Sequence, residues 1–441
     1  MQASYKQIWK IAYPIIFGSI AQTLISVTDT AFMGRVSQTA QAAIGIVSVY
    51  YLILFMIGYS YTKGTQILVA RRVGEGKPQL AGEIFDNSML VILGLSLALF
   101  VFLKFFSESS LGLIISGDEV HAASYEYMDM RSYGLFFGFA GSVFLAFYMG
   151  IGKMGILLVS IITMSVSNIF LNYVLIFGKF GFPEMGIAGA ALASNIAEAL
   201  AALIFIGYTL TKRINHKYQL FKIKTYSLSV IQKLTSLSLP IVLQTVIGLT
   251  AWMMFFGFVE KMGEHELAIS SVVKSIYIVF GIPAWGFSSA ANTVISNLMG
   301  QGQLKQVIQG IKKIVIMSLG VTVTLTLALA IFPEFFLRVY TDDPGIIHDS
   351  IPVILVCIAA LWVYSASTIL YHAIVSIGST KVSLIIEVLV IFLYLVFLKI
   401  IFNWEGATLP IVWTSEIFYW LAIATCSFGF LLSGKWKRVR I

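Results

Sequence analysis

Hydrophobic positions in this chain come as long unbroken runs rather than as stripes. Twelve apolar stretches can be marked, at roughly 8–34, 44–70, 82–106, 122–149, 155–178, 186–209, 231–259, 268–297, 304–332, 347–375, 381–402 and 408–432. A helix needs about 20 apolar residues to cross the hydrocarbon of a bilayer. Each stretch meets that length, so the pattern predicts an all-α membrane protein of twelve transmembrane helices. The first stretch is too long for the apolar region of a secretory signal and ends without a small-residue cleavage site, so it is expected to stay in the chain.

The second half repeats the first. When the chain is shifted so that Pro14 meets Pro240, Ile15 meets Ile241, Phe32 meets Phe258 and Ala42 meets Ala268. In the same register Gly74, Gly76 and Gly94 meet Gly300, Gly302 and Gly320, and Ile151-Gly152 meets Ile377-Gly378. Six spans restore the direction of the chain, so these are parallel six-helix repeats. The expected organisation is an N-terminal lobe at 1–209, a linker at 210–230 and a C-terminal lobe at 231–441. Transporters built from such repeats hold substrate between them and alternate access by rocking one against the other.

Composition agrees with a life in lipid. Of 441 residues, 58% are hydrophobic and 11% charged, against about 25% charged in a soluble domain. Lys and Arg gather in alternate loops, and the linker carries Lys212, Arg213, Lys217, Lys222 and Lys224. That asymmetry places both termini in the cytoplasm and the chain in the cell's inner membrane. It also accounts for the net charge of +8 without nucleic acid. Cys357 and Cys426 lie inside apolar runs and imply no disulfide framework. There is no phosphate-binding loop and no hydrolase motif, so an enzyme is not expected, and the energy for transport must come from an ion gradient.

The informative residues are the polar ones inside the runs. In "SVTDTAFMGRV" (26–36), Asp29 stands in a greasy helix with no Lys or Arg within one turn on its own helix. Gln22 and Ser26 share its face. Intramembrane acids are costly and mark function by default. Asn168 and Asn172 lie one turn apart on the fifth span and read either as glue between helices or as the lining of a pocket. Glu198 on the sixth span reads either as a candidate second acid or as part of a small-residue packing seam, some way deeper than Asp29. Lys63 and Glu387 suggest a latch between halves, or a lysine snorkelling to the interface. Lys274 is expected to reach toward Glu260, Glu264 or Glu266. Glu416 has no evident partner. On the tenth span Ser365, Thr368 and His372 follow helical spacing beside Tyr364 and Tyr371. They form a candidate substrate surface or simple packing. Trp252, Trp285 and Trp362 suit either planar cations or an interfacial belt.

Together, twelve spans, the repeat, "RRVGEGKP" at 71–78 with "LMGQGQ" at 298–303, and "TDTAFMGRV" resemble the multidrug and toxic compound extrusion (MATE) family over essentially the whole chain. An acid in the first helix, following a proline, is similar to the DinF-type branch. The resemblance implies a cation-coupled exporter with two lobes. It makes Asp29 the coupling group, with Gln22, Asn168 and Asn172 as its polar partners and Pro14 as a hinge. Where that pattern has a second carboxylate on the fifth helix, this chain has Asn172. Where the NorM-type branch has an acid on the seventh helix, this chain has Gly248.

The resulting expectation is secondary active antiport of organic cationic or amphipathic solutes by alternating access. A carboxylate away from water favours its neutral form, so it holds a proton or a cationic solute but not both well. One carboxylate favours H+ over Na+, although sodium at Asp29, Asn168 and Asn172 stays open as the one metal reading. No cofactor is expected, and a monomer is. The alternatives are a flippase for a lipid-linked precursor, which would need a basic cavity, and a scaffold without transport.

Overall fold

The computed structural model describes residues 3–222, 226–439 and 441. Lys224 of the linker lies outside them. The elements are helical throughout: α1 (Tyr5–Val36), α2 (Gln38–Gly74), α3 (Pro78–Gly112), α4 (Asp118–Arg131), α5 (Gly134–Gly150), α6 (Gly155–Ile176), α7 (Gly186–Thr211), α8 (Ile214–Tyr218), α9 (Leu228–Glu260), α10 (Glu264–Gly300), α11 (Leu304–Ile331), α12 (Pro333–Leu337), α13 (Pro344–Ile377), α14 (Thr380–Phe402) and α15 (Leu409–Leu432). Eleven described helices are long and apolar enough to cross a membrane, and α4 with α5 makes a twelfth span bent by 52°. The expected all-α, twelve-span architecture is what the chain adopts.

Local signals account for the helix ends. Ser37 caps α2 by accepting from the Ala40 amide at 2.9 Å. Asp343 caps α13 through the amides of Gly345 and Ile346, each cap satisfying donors that a helix start leaves open. The repeat is visible in the backbone as well. Gly76 and Gly302, matched in sequence, take φ of +73° and +71° in the turns after α2 and α10. Gly152 and Gly378 do the same at +75° and +99°. A side chain is strained in that conformation, which explains why glycine stands at both members of each pair.

The chain forms two compact units, Met1–Ile16 with Leu239–Ile441, and Phe17–Ser238. The sequence places its boundary in the 210–230 connection, whereas the units are divided inside α1 and α9, just past Pro14 and just before Pro240. Contacts within each unit explain the division. The start of α1 belongs with the C-terminal helices because the Trp9 and Phe287 rings lie 6.0 Å apart and Lys313 donates to the Ala3 carbonyl at 2.9 Å. A methyl group on Gly286 would meet Ile16 at 2.4 Å, so these helices approach closely. The start of α9 belongs with the N-terminal helices. Thr235 shares a 2.9 Å hydrogen bond with Tyr61, and a methyl group on Gly64 would lie 2.0 Å from Ser238 Oγ. The segment before α9 is also fastened there, because Asp86 accepts from the amides of Phe221 and Lys222 and Asn87 from Ser227.

Between helices in lipid the hydrophobic effect is weak, and close approach of small residues substitutes for it. Helix α7 shows this: Ala190, Ala191, Ala193, Ala197, Ala201 and Ala202 are buried. A methyl group on Gly189 would meet the backbone of Leu175 at 2.8 Å, so α6 and α7 pack nearly backbone to backbone. Large apolar side chains such as Phe105, Leu203 and Phe392 point outward, as lipid-facing surfaces require.

Candidate functional site

Asp29 is set in place by two contacts between α1 and α6. A methyl group on Gly18 would lie 2.5 Å from Ile161, and the rings of Phe32 and Phe177 meet edge to face at 5.8 Å. Between these pins the half-buried Asp29 accepts from Nδ2 of Asn172 at 2.5 Å. The same amide nitrogen donates to Oδ1 of Asn168 at 3.1 Å, and Asn168 donates to Ser194 Oγ on α7 at 3.0 Å. Asp29, Asn172, Asn168 and Ser194 thus form one polar chain across three helices. Both asparagines are buried. Oδ1 of Asn172, also buried, accepts no hydrogen bond among the described residues. An amide can present a donor to an ionised carboxylate or an acceptor to a protonated one, so this arrangement suits a group that changes protonation.

Gln22 and Ser26 do not join that chain. Both are exposed on α1, and the Ser26 carbonyl is used by Thr30 Oγ1 at 3.0 Å. Pro14 sits inside α1, which continues helically through it.

Glu198 has a partner the sequence reading did not assign. Arg131, the last residue of α4, donates from Nη1 to Oε2 of Glu198 at 3.0 Å and from Nη2 to Oε1. Nη1 also donates to Oδ1 of Asn195 at 2.7 Å. Nδ2 of Asn195 donates in turn to the Met130 carbonyl at 2.7 Å, satisfying a backbone acceptor at the bend. The guanidinium lies 4.2 Å over the Tyr51 ring. Arg131 is only 7% exposed, so the pair is a desolvated ion pair, supported by the third guanidinium hydrogen bond to Asn195. One sequence signal pointed this way. Gly134 and Gly138 lie one turn apart on α5, just past Arg131, and a methyl group on the first would meet Arg131 and on the second Glu198.

The C-terminal unit contains two more buried acids, each on tyrosine hydroxyls. Glu387 accepts from Tyr419 at 2.6 Å. Glu416, without a partner in the sequence reading, accepts from Tyr394 at 3.3 Å and from Tyr277 at 3.5 Å. Lys63 donates to Tyr59 Oη at 3.1 Å and is buried rather than snorkelling. The Lys274 ammonium lies 4.7 Å over the Phe256 ring, and none of the described ion pairs joins it to Glu260, Glu264 or Glu266. On α13 the expected face divides. Ser365 is buried and bonded to Ser318 at 2.7 Å, and Thr368 is buried. Tyr364, Tyr371 and His372 are half-buried. Tyr364 stands edge-on to Trp420 at 4.6 Å. Of the tryptophans, Trp362 donates to Thr326 Oγ1 at 2.8 Å.

The family model MatE matches residues 14–174 and 240–404, one copy in each repeat. The chain belongs to the MatE family. It is similar to a probable multidrug resistance protein NorM from Thermotoga maritima, with 26% identity over 439 residues, covering 98% of this chain and 93% of that one. A protein of the same description from Synechocystis is 26% identical over 352 residues, covering 78% and 75%. Among solved structures, a MOP superfamily transporter from Pyrococcus furiosus, whose description reports reverse polarity of its binding pocket, superposes with a TM-score of 0.90 at 18% identity, covering 99% of this chain and 97% of that one. A multidrug resistance MATE family transporter in an outward-facing conformation gives the same values. At that identity the structural likeness shows the fold. This MATE-family chain is therefore a multi-pass membrane transporter and not an enzyme.

Proposed function

We propose that this chain is a proton-coupled multidrug exporter of the inner membrane, acting as a monomer with both termini in the cytoplasm. Its solutes are organic cations and cationic amphipaths, and Asp29 carries the exchange. The observation that carries this reading is the polar chain from Asp29 through Asn172 and Asn168 to Ser194, which contains a single carboxylate. Glu198, the other acid near it in sequence order on α7, is neutralised by Arg131. One carboxylate and neutral oxygens suit a proton better than a desolvated sodium ion.

The cycle then runs as competition. Ionised Asp29 accepts from the Asn172 amide and attracts a cationic solute from inside. A proton arriving from outside makes Asp29 a donor, and the Oδ1 of Asn172, which accepts no hydrogen bond among the described residues, becomes its natural acceptor. The solute is released because its counter-charge is gone. The ligand acts on the conformational equilibrium only through this difference in affinity, and a membrane potential of 100 mV adds about 2.3 kcal/mol per charge moved. The first-helix acid and Gly248 support the DinF-type branch, although the relatives above carry the NorM name. A flippase for a lipid-linked anion is not favoured, because Arg131 is already neutralised by Glu198 and the buried Lys63 and Arg71 are set against buried Asp86, Glu387 and Glu416 and half-buried Asp29.

The test is efflux of a fluorescent organic cation from sodium-free vesicles containing the purified protein. Efflux driven by an imposed pH gradient supports the reading. Efflux that stays at background until a sodium gradient is supplied overturns it.

A further inference from the structure

The Arg131–Glu198 pair has no part in the cycle above, yet it lies beside the groups that do. Ser194, where the polar chain from Asp29 ends, and Glu198 are four residues apart on α7, so they share a face one turn apart. Asn195 lies between them and holds both the guanidinium and the Met130 carbonyl. The charged and titratable groups facing Arg131 are Glu198 from α7, Tyr51 from α2 and Tyr127 from its own helix. Asp29 on α1 reaches the same face of α7 through three hydrogen bonds, by way of Asn172, Asn168 and Ser194, and none of the described ion pairs joins it to Arg131. One carboxylate, Glu198, holds this permanent cation by contact, and a second, Asp29, is tied to the neighbouring turn of the same helix.

We propose that Glu198 tunes the coupling proton: by neutralising Arg131 it prevents that fixed charge from holding Asp29 in the ionised form. The inference rests on Asp29 as the coupling group. Glu198 itself touches neither the solute nor the proton, so it is a positioning residue. Its action follows from elementary electrostatics. A guanidinium stays charged in proteins, and an unneutralised cation near a carboxylate in a poorly hydrated interior favours the carboxylate. With Glu198 in place, Asp29 alternates between neutral and charged. Without it, Asp29 would become the counter-ion of Arg131 and take up a proton only in more acidic solution. The clearance at Gly134 and Gly138, where a methyl group would crowd Arg131, Asn195 and Glu198, keeps the pair in contact.

The experiment is infrared titration of the purified full-length protein in lipid nanodiscs, following the protonated-carboxyl band that disappears in Asp29→Asn. In Glu198→Gln the pH at which that band reaches half height is expected to move toward acid by about half a unit or more, an opposite charge at close range being worth one unit or more. In Asn195→Asp, which adds a carboxylate against Arg131, it is expected to move toward alkali. Curves that superpose on the wild type, or that move in the same direction, overturn the proposal. A pair with only a structural role lowers yield or melting temperature and leaves both curves in place. If Glu198→Gln does not fold, Asn195→Asp decides alone, by moving toward alkali or failing to. A band that moves as expected while wild-type efflux ignores a pH gradient sinks the proton-coupled cycle, and with it the coupling role given to this pair, and leaves only the control of Asp29 protonation by Arg131 and Glu198 standing.

Discussion

A methyl group on Gly134 would fall 2.0 Å from Nη1 of Arg131. The same methyl would lie 2.2 Å from Oδ1 of Asn195, so the buried ion pair and the bend between α4 and α5 share one small space. Gly134→Ala is expected to destabilise the protein by about 1–3 kcal/mol, the usual cost of overpacking. Gly141→Ala in the same helix, where nothing lies within 4 Å of the added atom, is expected to be neutral. Thermal unfolding of the two purified variants checks the pair, and equal melting temperatures would refute the steric argument.

Asp29→Asn keeps the shape of the side chain and removes its charge. Gradient-driven efflux is expected to fall to background while the melting temperature changes little, since one hydrogen bond to Asn172 is worth about 1 kcal/mol. Efflux assays and thermal unfolding on the same preparation separate the two effects. Wild-type efflux in this variant would make Asp29 structural.

Asn172→Asp places a second carboxylate where an amide now lies 2.5 Å from Asp29. Two carboxylates so close share a proton or recruit a cation, so this variant is expected to gain sodium sensitivity. Its melting temperature should rise with sodium but not with choline, by an amount equivalent to about 2.7 kcal/mol when sodium is a hundredfold above its dissociation constant. Identical curves in the two salts would show that no cation site had been made.

Topology follows from the loops. Reporter domains fused at Lys217 and at the C-terminus should report the cytoplasm, and one at Asp343, the cap of α13, should report the outside. A cytoplasmic signal at Asp343 would sink the twelve-span orientation.

Much of this was legible because lipid is an exacting solvent. It demands apolar length and internal backbone hydrogen bonding, so the spans and the repeated Pro and Gly positions stand out by inspection. Asp29 was legible for the same reason, as a charge in a stretch that had none. Arg131 was not. Its partner lies 67 residues away, and near the start of an apolar stretch a basic residue reads as an end marker. The break after it contains no proline to announce it. Glu416 stayed without a partner because its tyrosines, Tyr277 and Tyr394, lie on two other helices and carry no spacing signal. The division of the units inside α1 and α9 was hidden as well, since it depends on which neighbours Trp9 and Thr235 meet.

The Arg131–Glu198 pair also bears on how the chain is made. Arg131 emerges from the ribosome 67 residues ahead of Glu198, and an unpaired arginine in a spanning helix costs up to about 2.5–3.5 kcal/mol to insert, the most at its centre. The fourth span therefore meets the insertion machinery before its counter-charge exists. Its arginine finds its partners only when the sixth span delivers Glu198 and Asn195 together. A chain cut short before the sixth span is consequently expected to be less stable in the membrane than the whole lobe, because it carries this arginine without its counter-charge.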